Sequence, residues 1–170
     1  MGGIYAREEE YPEEIWKSIY YHYLPVGVEA DAAPSPEELG VAAVPWAAVS
    51  LADKIDTIVS LFSVGEYPTG SRDPFGLRRQ AHGVIRTLVD LPALTNVDVS
   101  LSLADLVGAA LDGTKKEGIA LERLSEFFLD RVRHLFKKRQ FRYDEINAIA
   151  GREPTLDLIP LDLFRRLTAL

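Results

Sequence analysis

The stretch that most constrains the fold runs from Leu51 to Arg86, LADKIDTIVSLFSVGEYPTGSRDPFGLRRQAHGVIR. It reads as a helix, a loop punctuated by Gly65, Pro68, Gly70 and Pro74, and a second helix. At about 100° per residue, Leu51, Ala52, Ile55, Ile58, Val59 and Phe62 share one face of the first helix. The other side carries Trp46, Val49, Ser60 and Val64, so both sides read as packable, the pattern of an internal helix. Asp53 falls in the middle of that second face. A carboxylate there requires a partner, since an isolated buried charge is too costly. Arg78, Arg79, His82 and His22 are the nearby candidates, and a buried structural salt bridge or a solvent-lined notch is the plainest reading.

Asp73 before Pro74 is a start signal for the second helix: the carboxylate accepts free N–H groups of the first turn, and proline suits the first helical position. Arg78, His82 and Arg86 recur every four residues with Arg79 beside them, a basic stripe next to the apolar one of Leu77, Ala81, Val84, Ile85 and Leu88. Thr69, Ser71 and Arg72 surround the helix N-terminus, an arrangement suited to phosphate. The alternative is that Arg78 or Arg79 pairs with Asp53 or Asp56 and the loop is only a rigid turn.

The rest of the chain is helical in the same way. Glu8, Glu9, Glu10, Glu13 and Glu14 front a helix to about Tyr23, complementing its dipole. Ile15, Ile19 and Tyr23 are expected inward, and His22 reads as a cap or tyrosine neighbour. Residues 26–40 read as a loop with at most a short helical turn. Pro92 opens a connector, and Ser102 with Asp105 forms a capping box for a short helix. Thr114 with Glu117 repeats the pattern and opens an amphipathic helix to about Arg139, with Leu121, Leu124, Phe128, Val132 and Leu135 as its inner stripe. Arg133, Lys137, Lys138 and Arg139 near its end form a second basic cluster, either complementing the dipole or meeting a phosphate backbone. Short helices follow over Tyr143–Ala150 and from Pro160. No strand-like alternation of any length occurs, so the expected class is all-α.

Composition narrows the function. With no cysteine there is no disulfide, thiolate metal site or cysteine nucleophile. A formal charge of −7 argues against a generic nucleic-acid coat and leaves a local RNA-facing patch open. No apolar run spans a bilayer and no signal peptide is evident, so a cytoplasmic protein without membrane association is expected. No P-loop, dinucleotide fingerprint or HExxH occurs, and three scattered histidines make no triad.

LADKIDTIV followed by YPTGSRDPFGLRRQAHGVIR resembles the beta subunit of bacterial heterotetrameric glycyl-tRNA synthetase, which typically carries LADKLDTL and then PTGSKDPFALRR. YAREEEYPEEIWKSIYYHYLP, LSEFFLDRVRHLFKKRQFRYDEINAI and PLDLFRRLTAL resemble further stretches of that family, in the same order. The resemblance implies a part in glycine–tRNA ligase that binds or positions tRNA(Gly) and supports the alpha subunit. ATP and Mg are expected at that alpha subunit, so this chain is expected to need no cofactor and to be non-catalytic alone. Its partners would be tRNA(Gly), the alpha subunit and the remainder of the beta subunit. The LADK run is also similar to the last motif of the HD superfamily of metal-dependent phosphohydrolases, with Asp53 at the late aspartate. None of the three histidines precedes an aspartate, so the resemblance implies a degenerate HD-like unit without a metal site. Its expected extent is residues 1–91, with 92–170 a helical extension leading toward the family's anticodon-binding region. The rivals are an HD-type nucleotide phosphohydrolase and a purely structural subunit-interface module.

Overall fold

The computed structural model describes residues 1–27, 33–112, 120–151 and 153–170. Those residues form helices α1 (Gly2–Glu8), α2 (Glu13–Tyr21), α3 (Pro36–Leu39), α4 (Ala43–Ser63), α5 (Leu77–Thr95), α6 (Leu103–Asp112), α7 (Leu121–Lys138), α8 (Tyr143–Ala150) and α9 (Pro160–Thr168), with a 3-10 turn at Gly40–Ala42. Among the described residues the only extended pairing is a single bridge between Thr69 and Arg72. The chain is all-α, as its periodicity requires.

Helices α4 and α5 are the central pair. α4 packs on α2, α5 and α6, while α5 also receives α7 and α9. Ile55, Ile58, Val59 and Phe62 of α4 meet Leu77, Ala81, Val84, Ile85 and Leu88 of α5 in one core. That core extends through Leu103, Phe128, Val132, Phe136, Ile146 and Leu163, so it joins residues on both sides of position 91. α5 itself runs through that position and carries Pro92 in its last turns, ending at Asn96 in the left-handed region. Pro92 therefore sits inside a helix and does not open the connector.

The predicted face of α4 is buried, except for Ala52. The second face is not: Val49 is 43% exposed and Val64 71%. Asp53 lies in solvent on that same strip, so it needs no buried partner. The charge that α4 does bury belongs to the next residue, Lys54, only 3% exposed. Lys54 Nζ donates to the carbonyls of His22 (2.7 Å) and Leu24 (3.2 Å) and to Ser50 Oγ (2.8 Å). Ser50 Oγ in turn donates to Leu24 O at 2.7 Å, and Trp46 Nε1 donates to Tyr21 O at 3.0 Å. Three donors on one face of α4 thus hold the chain end of α2, where the Leu24–Pro25 peptide is cis. Gly83 of α5 closes the arrangement. A Cβ on it would stand 2.6 Å from Pro25 O and 2.8 Å from Lys54 Cε, so only glycine lets α5 approach.

The N-terminal helix fronted by glutamates is shorter than expected: α2 starts at Glu13, and Gly2–Glu8 form a separate helix, crossing α2 so closely that a Cβ on Gly3 would lie 2.5 Å from Tyr20 Cβ. Ile15 (42%), Ile19 (40%) and Tyr23 (53%) are exposed, not inward, because α2 turns Ser18 and Tyr21 toward α4. The short helices behave as read. Ser35 caps α3 with Glu38, and Ser102 Oγ accepts from Asp105 N at 3.0 Å. The Thr114–Glu117 box falls outside the described residues. Leu124, Phe128, Val132 and Leu135 of the α7 stripe are buried, whereas Leu121 is 48% exposed.

Candidate nucleic-acid interface

The turn between α4 and α5 is built from its own backbone. Thr69 N donates to Arg72 O at 3.1 Å and Arg72 N to Thr69 O at 2.8 Å, with Gly70 at φ +50° completing the reversal. Asp73 then caps α5, but not as the residue directly before it. The helix begins at Leu77 after Gly76, which holds φ +65°. Asp73 reaches forward, Oδ1 accepting from Leu77 N (2.8 Å) and Oδ2 from Arg78 N (3.0 Å). The N–H groups read as a phosphate cradle are therefore occupied by the chain's own carboxylate. Thr69, Ser71 and Arg72 stand exposed on the turn around it.

The basic stripe of α5 faces α7, not water. Arg78 is half-buried and donates from Nη2 to Gly70 O at 2.7 Å, bracing the turn. His82 stacks on His134 of α7, ring centroids 4.7 Å apart at 30°. Burial, then the Arg131 and His134 charges, push His82 down to about 4, so it is neutral near pH 7. Arg86 is only 7% exposed and pairs with Asp90, Nε to Oδ2 at 3.3 Å. Arg139 joins the same carboxylate at 2.7 and 2.9 Å and lies over the Phe164 ring. Arg86 and Arg139 thus clamp α5 to the end of α7 and do not present their guanidiniums outward. Arg133 donates to Gly151 O at 3.2 Å, while Lys137 and Lys138 are exposed. Arg79 is exposed on the other side of α5, folded over Gly76.

Two residues of α7, Arg123 and Arg131, complete the cationic surface. Arg123, Phe127 and Arg131 recur every four residues on α7 and face the turn. The Arg123 guanidinium lies 4.7 Å from the Tyr67 ring centroid and that of Arg131 5.5 Å from Phe127. Together with Arg78 they line a cleft of about 200 Å³. The four-residue spacing was present in the sequence; only the packing of α7 beside the turn shows that it has a partner surface.

Asp53 borders a separate cavity of about 300 Å³ with Lys54, Arg79 and Gln80. Two cations beside one carboxylate repel a divalent ion, and no three His, Cys, Asp or Glu side chains converge among the described residues. The donor set does not fit a catalytic metal.

The sequence of residues 1–151 matches the family model described as glycyl-tRNA synthetase beta subunit. The chain belongs to that family. Among curated relatives, the glycine–tRNA ligase beta subunit of Acidithiobacillus ferrooxidans is 39% identical over 173 residues, covering 100% of this chain and 23% of the relative. The Rhodospirillum centenum beta subunit is 39% identical over 170 residues, covering 100% and 22%. That of Shouchella clausii is 35% identical over 174 residues, covering 98% and 23%. The chain thus spans under a quarter of the length of these beta subunits. The family is that of an aminoacyl-tRNA synthetase, a ligase, and among the described residues no helix is long and apolar enough to cross a membrane.

Proposed function

We propose that this chain serves glycine–tRNA ligase by binding and positioning tRNA(Gly), within a cytoplasmic assembly with the alpha subunit and the remainder of the beta subunit. On this reading ATP and Mg are handled at the alpha subunit, and this piece forms no glycyl-adenylate alone. The supporting observation is the pair Arg72 and Arg79: both are exposed near the capped turn, and among the described residues neither has a carboxylate within ion-pair distance. Free guanidiniums held by a rigid turn suit phosphate contacts that set register. The fold reading that goes with it is a degenerate HD-like unit, its Asp53 cavity lined by cations in place of metal ligands. The test is charge reversal, Arg72→Glu with Arg79→Glu, in the assembled enzyme. Affinity for tRNA at low salt falls at least tenfold while glycyl-adenylate formation is unchanged; unchanged filter binding removes the tRNA role.

A second reading, an interface module supporting the alpha subunit, is favoured by a different observation. Tyr5, Tyr11, Ile15 and Ile19 stand 40–61% exposed along α1, α2 and the turn between them, leaving large apolar side chains in water. Ile15→Asp with Ile19→Asp is expected to leave this chain folded and to reduce assembly of the enzyme by size-exclusion chromatography; normal assembly would remove this role.

A further inference from the structure

We propose that the cleft between the Tyr67–Arg78 turn and helix α7 is a phosphate site for a polynucleotide, with Arg78, Arg123 and Arg131 as its recognition groups. The inference rests on the tRNA reading above and assigns it a second contact, on the face of α7 that packs beside the turn.

Three cations converge on a small concavity here, with Asp130 and Asp73 near enough to act on Arg131 but not in contact with it. Among the described residues, Arg78, Arg123 and Arg131 form no ion pair within 4.0 Å. Elsewhere the chain does pair its arginines, as at Asp90 and Asp98. Arg131 Nε is buried with no hydrogen-bond partner. A guanidinium N–H withdrawn from water without an acceptor is costly, and native structures leave few of them. Burial lowers the Arg131 basicity, Asp130 and more weakly Asp73 oppose that, and the nearby Arg78 charge adds to it, so the two guanidiniums repel across the cleft. An anion between them would relieve both costs. Guanidinium forks match phosphate oxygens in geometry.

The remaining lining decides which anion. Tyr67, Pro68 and Phe127 supply apolar and aromatic walls. Arg123 lies on Tyr67, offering a cationic plane of the kind on which bases stack. Glu126 and Asp130 stand exposed at the rim. Asp130 lies 3.9 Å from Arg133, and the Asp73 carboxylate is engaged with the α5 backbone. Three cations face Glu126 and Asp130 at the rim, with the Asp73 charge close by, a near-balanced set that suits a single backbone phosphate better than a densely charged free polyphosphate.

The test uses the enzyme assembled from alpha and full-length beta subunits, with tRNA(Gly) as the probe. Arg123→Gln with Arg131→Gln should weaken binding five- to twentyfold and lower the dependence of log affinity on log salt by one to two. Glu126→Gln should strengthen binding about twofold or more, a gain that loss of folding cannot imitate. If the Gln variants bind tRNA like wild type while Arg72→Glu with Arg79→Glu does not, the cleft assignment falls and the tRNA reading stands. If neither pair changes affinity, both fall. Saturable inorganic phosphate binding that is abolished by Arg131→Gln, with tRNA affinity unchanged, would identify a free-anion site and overturn the polynucleotide assignment.

Discussion

Lys54 and His82 are the two residues whose protonation the fold controls most clearly. Lys54 is buried, which pulls its ammonium down to about 8 against a small opposing pull from Asp53. It is therefore still charged at neutral pH, with all three N–H groups used on His22, Leu24 and Ser50. Lys54→Met would leave the His22 carbonyl without its donor and remove one of two donors to Leu24 O, and a loss of roughly 1–3 kcal/mol in denaturant melts is expected. Gly83→Ala should cost about 1–3 kcal/mol through the contact with Pro25 O. For His82 the folded value, about 4, lies below the unfolded reference of 6.5. The unfolded chain then binds the extra proton first, so stability is lost as pH falls from about 6.5 towards 4. His82→Gln should flatten that part of the stability–pH curve; an unchanged slope would place the titration elsewhere.

At the scale of elements, the account rests on how α5 starts. Asp73→Ala frees two backbone N–H groups and should cost about 1 kcal/mol. Phe62→Ala removes a ring packed on Tyr67 and Phe127 and should cost roughly 3–5 kcal/mol. A shift below about 1 kcal/mol would contradict the burial of α4. Most of these elements were legible in the sequence, because caps and period 3.6 are local signals. The α8 boundaries, the Ser102 cap and the Ile55–Phe62 face follow from neighbours a few residues apart. What failed was each inference that needed to know what stood opposite. Trp46 is buried by α2, yet Val49 and Val64 at similar angles are not, so Asp53 emerged in water and Lys54 inside. The α5 stripe was correctly spaced, but α7 covers it, turning Arg86 toward Asp90 and His82 toward His134. Asp73 was correctly read as a cap, though the extra Pro74–Gly76 turn moved the helix start to Leu77.

On the scale of the whole molecule, the acidic chain, with its formal charge of −7, gathers several cations around one turn. Arg72, Arg79 and the Arg78–Arg123–Arg131 cleft lie on or beside the turn that opens α5, all braced by the α4–α5 pair. Local charge of this kind directs a polyanion even when the sum is negative. Family membership supplies the setting, the beta subunit of a glycyl-tRNA synthetase. The most direct measurement is tRNA(Gly) affinity across a salt series for the assembled enzyme and its Arg72→Glu, Arg79→Glu variant. The account predicts that the slope of log affinity against log salt shrinks by about 2 as two phosphate contacts are lost. Superimposable salt series for the two proteins would contradict it.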